Sequence, residues 1–205
     1  MSHFQRISTY SLLFTLLTTI MSFTLNIGNN DNAPAKNAVS QTVSLVIKGT
    51  STLHDWEMKS DKGRVEVLLG LGSDARLMGL SALKFSLEAE SLKSEKTMMD
   101  NNAYKALKTN SAKQISFVLT NASITQLSAT SYRVKAIGKL TVAGTTRETD
   151  VIAEIAYSNT EKMYIVTGTK KLKMTDYNVK PPSFMLGTVK TGDEITISFK
   201  TKLAS

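Results

Sequence analysis

Between Val134 and Tyr157 the apolar side chains fall two apart on either side of a short break. Val134, Ala136, Leu140 and Val142 alternate with Arg133, Lys135, Lys139 and Thr141. Ala143-Gly144-Thr145-Thr146 interrupts the pattern, and Val151, Ala153, Ile155 and Tyr157 resume it. Side chains alternate across a strand with period two, so this stretch predicts a β-hairpin with one apolar and one polar face. Two strands cannot hide an apolar face from water by themselves. The rest of the chain must fold further strands over it.

Runs suited to that task recur along the chain. Val43, Leu45 and Ile47 form one; His54, Trp56 and Met58 form another, with Asp55, Glu57 and Lys59 facing away. Asp61-Lys62-Gly63 reads as a turn leading into Val65, Val67 and Leu69, and residues 70–73 read as a loop. Leu83, Phe85 and Leu87 follow, then Ile115, Phe117 and Leu119, a run over Tyr164–Met174, and Ile195, Ile197 and Phe199. Pro181-Pro182 keeps residues 176–183 out of any central strand. Ser94–Lys108 breaks the period. There Met98, Met99, Ala103, Ala106 and Leu107 recur at helical spacing, which predicts one short helix packed at the end of a sheet.

Eight or nine strands and one helix, spaced too closely for βαβ crossovers, point to an all-β, antiparallel single domain. Strands in this number form a sandwich or close into a barrel, and the length of the runs favours a barrel of eight or nine strands with the helix near one end. The face opposite the apolar one carries Lys48, Glu57, Arg64, Glu66, Lys84, Glu88, Lys135, Lys139 and Glu154. A membrane barrel needs the reverse polarity, so the expectation is a soluble one.

Cysteine is absent from the 205 residues, which excludes disulfides, thiolate metal sites and cysteine nucleophiles. His3 and His54 are the only histidines, too few for a multi-histidine metal centre. No metal or cofactor is expected. The net charge of +8 suits an anionic partner such as a membrane surface. At the N-terminus His3 and Arg6 precede the uncharged, mostly apolar run Ser11–Leu25, and Ala33-Pro34-Ala35 supplies small residues for cleavage. Residues 1–35 therefore read as a signal peptide and spacer, with residues 36–205 as the domain. The mature chain is expected to begin between Asn29 and Val39, in the periplasm or secreted. The rival reading is an uncleaved anchor, since Ile7–Ile27 approaches the roughly 20 residues that span a bilayer. The leader holds one basic residue, Arg6, and one acidic, Asp31, so the surplus of positive charge belongs to the domain.

Catalytic signatures are lacking: no Gly-x-Ser-x-Gly elbow occurs, and alternation sets His54 and Asp55 on opposite faces. His54 reads either as an inward, hydrogen-bonded structural residue or as a contact for the polar end of a ligand. Trp56, Met58, Val65, Phe85, Leu87, Phe117, Val134 and Leu140 either line a pore or fill a solid core. Lys170, Lys171, Lys173 and Lys180 are candidates for a head group or a membrane surface, or form a solvated strand end. Aromatic residues are not interleaved with the basic ones, so no nucleic-acid partner is expected.

Several segments taken together resemble the YceI-like family of lipid- and polyisoprenoid-binding proteins. They are Gly49-Thr-Ser-Thr-Leu-His-Asp-Trp56, Leu92–Leu107, Ile115-Ser-Phe117, Gly138-Lys-Leu-Thr-Val-Ala-Gly144 and Met174-Thr-Asp-Tyr-Asn-Val-Lys-Pro-Pro182, spread over nearly the whole chain after the leader. The resemblance implies a lipocalin-like periplasmic barrel that holds an isoprenoid or other long-chain lipid in its pore without enzymatic activity. The alternative is an envelope structural or stress-response protein with a solid core, acting through its basic surface.

Overall fold

The computed structural model describes residues 35–72, 76–184 and 187–204. The leader expected over residues 1–35 lies outside the described residues, apart from Ala35. Seven long strands follow one another, each antiparallel to the last: β1 (Ala35–Ser51), β2 (Trp56–Leu71), β3 (Leu77–Glu88), β4 (Gln114–Gln126), β5 (Ser131–Val142), β6 (Thr145–Ser158) and β7 (Met163–Lys173). A two-residue strand, β8 (Ser183–Phe184), pairs with the start of β9 (Val189–Ala204). β9 lies between β7 and β1 and pairs with both, so eight strands close into a barrel with β8 as a short flap. Closure leaves no long strand edge open to a neighbouring chain.

The β5–β6 hairpin is as the alternation predicts, in register from Ser131↔Ala156 to Val142↔Thr145. Its two-residue turn, Ala143-Gly144, has φ of 49° and 78°. Such positive angles match the strand twist, and Gly144 adopts them without strain.

Asp61-Lys62-Gly63 is not a turn. β2 passes straight through it, and the register against β1 steps from Val43↔Gly63 to Leu45↔Ser60. The extra residue is a bulge, which shifts the phase of the strand. Before it Trp56 and Met58 face inward; after it the odd positions Val65, Val67 and Leu69 do so. Likewise residues 70–73 are not wholly a loop, because β2 continues to Leu71.

Between β3 and β4 the chain forms a 3-10 turn (Ala89–Ser91) and the single α-helix, α1 (Thr97–Leu107). Ser94 fastens the start of the helix, donating from its backbone N and its Oγ to Asp100 Oδ1 at 2.7 and 2.8 Å. The helix ends at Lys108, which takes the left-handed conformation. Met99, Ala103 and Leu107, four apart on one face, pack against the barrel core, whereas Met98 is 76 % exposed. A second 3-10 turn (Met174–Tyr177) follows β7 and is tied to the start of β6 by Asn178 Nδ2 donating to Thr145 Oγ1 at 3.2 Å and by Arg147 Nε donating to the Asp176 carbonyl.

The outer face carries ion pairs: Glu57 with Lys48 and Lys59, Arg133 with Glu154, and Glu161 with Lys202. That is the polarity of a barrel in water. No helix among the described residues is long and apolar enough to cross a membrane.

Candidate functional site

The inward side chains of the eight strands do not meet at the axis. They enclose a cavity of about 570 Å³, within the range of small-molecule sites. Phe85, Ile115, Ile197 and Phe199 face inward yet are only half-buried, because part of each borders this cavity.

Close approach of rings to glycine backbones keeps the axis clear. Trp56 stands directly across from Gly49, and Phe199 across from Gly168. A Cβ on either glycine would overlap the ring opposite, so each ring sits close over the backbone of the neighbouring strand. The Trp56 indole is fixed by its Nε1, which donates to the Thr50 carbonyl at 3.0 Å.

On the cavity wall stand Trp56, Met58, Val65 and Phe85, joined by Leu87, Phe117, Val134 and Leu140. His54 borders the cavity too, but it is exposed and does not face into the core. Ser51 sets this arrangement. Its Oγ donates to the His54 carbonyl at 2.7 Å and accepts from the His54 backbone N at 3.1 Å. This turn ends the strand alternation before His54, so period two cannot be extended back through it. Among the described residues the His54 imidazole makes no hydrogen bond, contrary to the inward, hydrogen-bonded role.

The lysine group does not converge. Lys170 borders the cavity, but its Nζ lies 2.9 Å from the Oδ1 of Asp150, a half-exposed carboxylate that does not border it. That hydrogen bond holds the Asp150 carboxyl below its ordinary value. Lys171 faces outward and pairs with Glu194 at 3.3 Å, and Lys173 and Lys180 are exposed. β7 alternates like any strand, so adjacent lysines on it cannot share a face.

Sequence reasoning missed the helix side of the wall. Lys96, Met98, Met99, Asn102 and Ala103 all border the cavity, as do Met174, Tyr177 and Val179 from the second 3-10 turn and its exit. Among the lining residues only Leu53, His54, Lys96 and Met98 are exposed. They belong to the β1–β2 connection and the start of α1, and these two elements lie at the same end of the barrel. The mouth of the cavity is therefore there. Leu53 at 70 % and Met98 at 76 % exposure are also the most exposed large apolar side chains described. At the opposite end the described side chains pack against one another. Leu71, Tyr132 and Tyr164 are almost wholly buried and do not border the cavity, and Tyr157 meets Tyr164 edge-on at 5.1 Å.

The second 3-10 turn is clamped to β9 by Asp193, which accepts from Thr175 N at 2.9 Å and from Thr175 Oγ1 at 2.6 Å. These bonds hold the Asp193 carboxyl below its ordinary value of 3.8. A depressed carboxyl adds stability above the unfolded-state value and loses it as pH falls through the folded one. Exchange protection of the Val179 amide, which donates to the Met174 carbonyl at 3.1 Å, should thus hold from about pH 7 to about pH 4 and fall below that. In Asp193→Asn it should be weakened throughout; equal protection in both proteins would show the clamp to be idle.

The model of the YceI-like domain matches residues 21–203. Among solved structures, Burkholderia cenocepacia BcnA superposes with a TM-score of 0.59 at 19% identity, covering 79% of this chain and 95% of that one. A polyisoprenoid binding domain from Saccharophagus degradans, described as implicated in plant cell wall breakdown, gives 0.57 at 9% identity over 82% and 99%. A mutant Campylobacter jejuni YceI protein with a monobromobimane guest gives 0.51 at 16% identity over 70% and 85%. At such identities the likeness is one of fold. No curated protein sequence matches the chain.

Proposed function

The chain belongs to the YceI-like domain family, and from that premise we propose that it is a non-enzymatic binding protein that sequesters or transports a long-chain lipid of isoprenoid type inside its barrel. The cavity is the observation that carries this reading: about 570 Å³, walled almost throughout by Leu, Val, Ile, Phe and Met side chains. An aliphatic chain moved there from water gains about 0.8 kcal/mol per buried CH₂. The isoprenoid type is supported by the relation to the S. degradans domain. A hollow core argues against the alternative of a solid barrel acting through its surface. The exposed apolar pair Leu53 and Met98, with Lys96 beside them on the rim, suits a mouth that meets an anionic membrane surface during exchange.

Mass spectrometry of organic extracts of the protein, purified from its native envelope, tests the reading. A stoichiometric prenyl or other long-chain lipid is expected; an empty barrel that also takes up no such lipid in vitro would refute it. The same preparation tests export to the periplasm or medium. N-terminal sequencing should find the mature chain beginning between Asn29 and Val39. Met1 retained in membranes would favour the anchor.

A further inference from the structure

Two properties of the cavity narrow its occupant: how long a chain it can hold, and which charges stand at its mouth. Taking for each non-hydrogen atom the roughly 30 Å³ that one water occupies in the liquid, about 570 Å³ accommodates on the order of 19 such atoms. That is about four isoprene units. Among the described residues Tyr132 and Tyr164, 3% and 1% exposed, stand beyond the far end of the cavity and do not border it, which sets this as the expected length.

Among the described residues the wall bears no aspartate or glutamate. Its charged or chargeable members are Lys170, Lys96 and His54, together with the buried phenol of Tyr177. Lys170 is already neutralised by Asp150 at 2.9 Å, so the inner wall offers a head group no free charge. At the mouth the situation is reversed. Among the described residues neither the Lys96 ammonium nor the His54 imidazole has a hydrogen-bond or ion-pair partner, and half-buried Asn102, on the helix that follows Lys96, lines the same cavity. Unpaired donors around an otherwise apolar pocket favour an acceptor that brings negative charge.

We propose that the barrel takes, tail first, a single-chain amphiphile of about twenty carbons whose anionic oxygen head, a carboxylate or a phosphate, rests at the mouth beside Lys96, His54 and Asn102. This rests on the lipid-binding reading above and assigns the size and polarity of its ligand.

Trp56 is the single tryptophan of the chain and stands on the cavity wall, so its fluorescence reports occupancy without a label. The full chain is titrated with prenyl chains of ten, twenty and forty carbons carrying carboxylate, phosphate, hydroxyl or ammonium heads. Affinity should climb steeply from ten to twenty carbons and gain less than about threefold from twenty to forty, because the added carbons stay outside the cavity. At twenty carbons the carboxylate or the phosphate should exceed the hydroxyl by about tenfold, the worth of one charge-assisted hydrogen bond. Lys96→Met should erase that preference and keep the length profile, and Lys96→Arg should restore it. A forty-carbon chain binding more than about tenfold tighter than a twenty-carbon one would overturn the length limit. An ammonium head binding as well as both anions would overturn the head assignment. If no chain of any length or head binds, the lipid-binding reading falls as well, which separates that failure from these two.

Discussion

Leu87→Arg should cost about 3–5 kcal/mol of stability and abolish lipid retention, because it leaves an unpaired charge in an apolar interior. Leu87 is 2 % exposed and borders the cavity, whose wall among the described residues has no carboxylate to receive a guanidinium. Leu87→Trp gives the more discriminating result. In a packed core the larger ring would cost about 1–3 kcal/mol through overpacking. Here the cavity accepts it, so the expected cost is under about 1 kcal/mol, while the lumen is blocked and lipid content falls. Thermal melting and lipid analysis of the same preparations check both. A Leu87→Trp protein that melts normally and keeps its lipid would place the ligand elsewhere.

Gly138→Ala should be the next most damaging single change, at about 3 kcal/mol, which for a domain of this size lowers the melting temperature by about 10 °C. A methyl group there would overlap both the Val118 carbonyl and the Phe117 ring. A side chain could swing aside, but the carbonyl belongs to the β4 backbone and cannot. Gly79 on β3 supplies the control, since a Cβ there meets nothing within 4 Å. Gly79→Ala should leave stability unchanged or raise it by about 0.5 kcal/mol through a less mobile unfolded chain. Equal melting of the two variants would mean that β4 and β5 are not packed as closely as described.

How much of this is legible in the sequence depends on whether a local rule stays local. The β5–β6 hairpin is readable because Val134 to Tyr157 keeps strict alternation on both sides of a two-residue turn. The bulge at Asp61-Lys62-Gly63 is not, because a polar pair before glycine has the composition of a turn, and only the partner strand shows that β2 continues. His54 misleads for a similar reason. Counting by two from Trp56 sends it inward, but the Ser51 hydroxyl organises residues 51–54 into a turn of their own. Met98 shares the helical spacing of Met99 and Ala103 but stands at the exposed start of the helix, which spacing alone does not show. The hollow core is the least readable feature. Apolar inward residues are the same in a filled and an empty barrel; what differs is where Trp56, Phe117 and Phe199 rest, and each rests on a glycine of a different strand. Such pairings come only with register.

The tyrosines at the far end bear on traffic as well as on length. If the barrel holds the proposed lipid and, as among the described residues, Tyr132, Tyr157 and Tyr164 pack its far end, the lipid would leave by the doorway it came in, head first. Donor and acceptor must then visit the same rim in turn, never together. Under that reading, exchange would be a strict alternation of loaded and empty trips through the opening between residues 51–54 and the first turn of α1. A protein built this way must let go of one surface before it can serve the next.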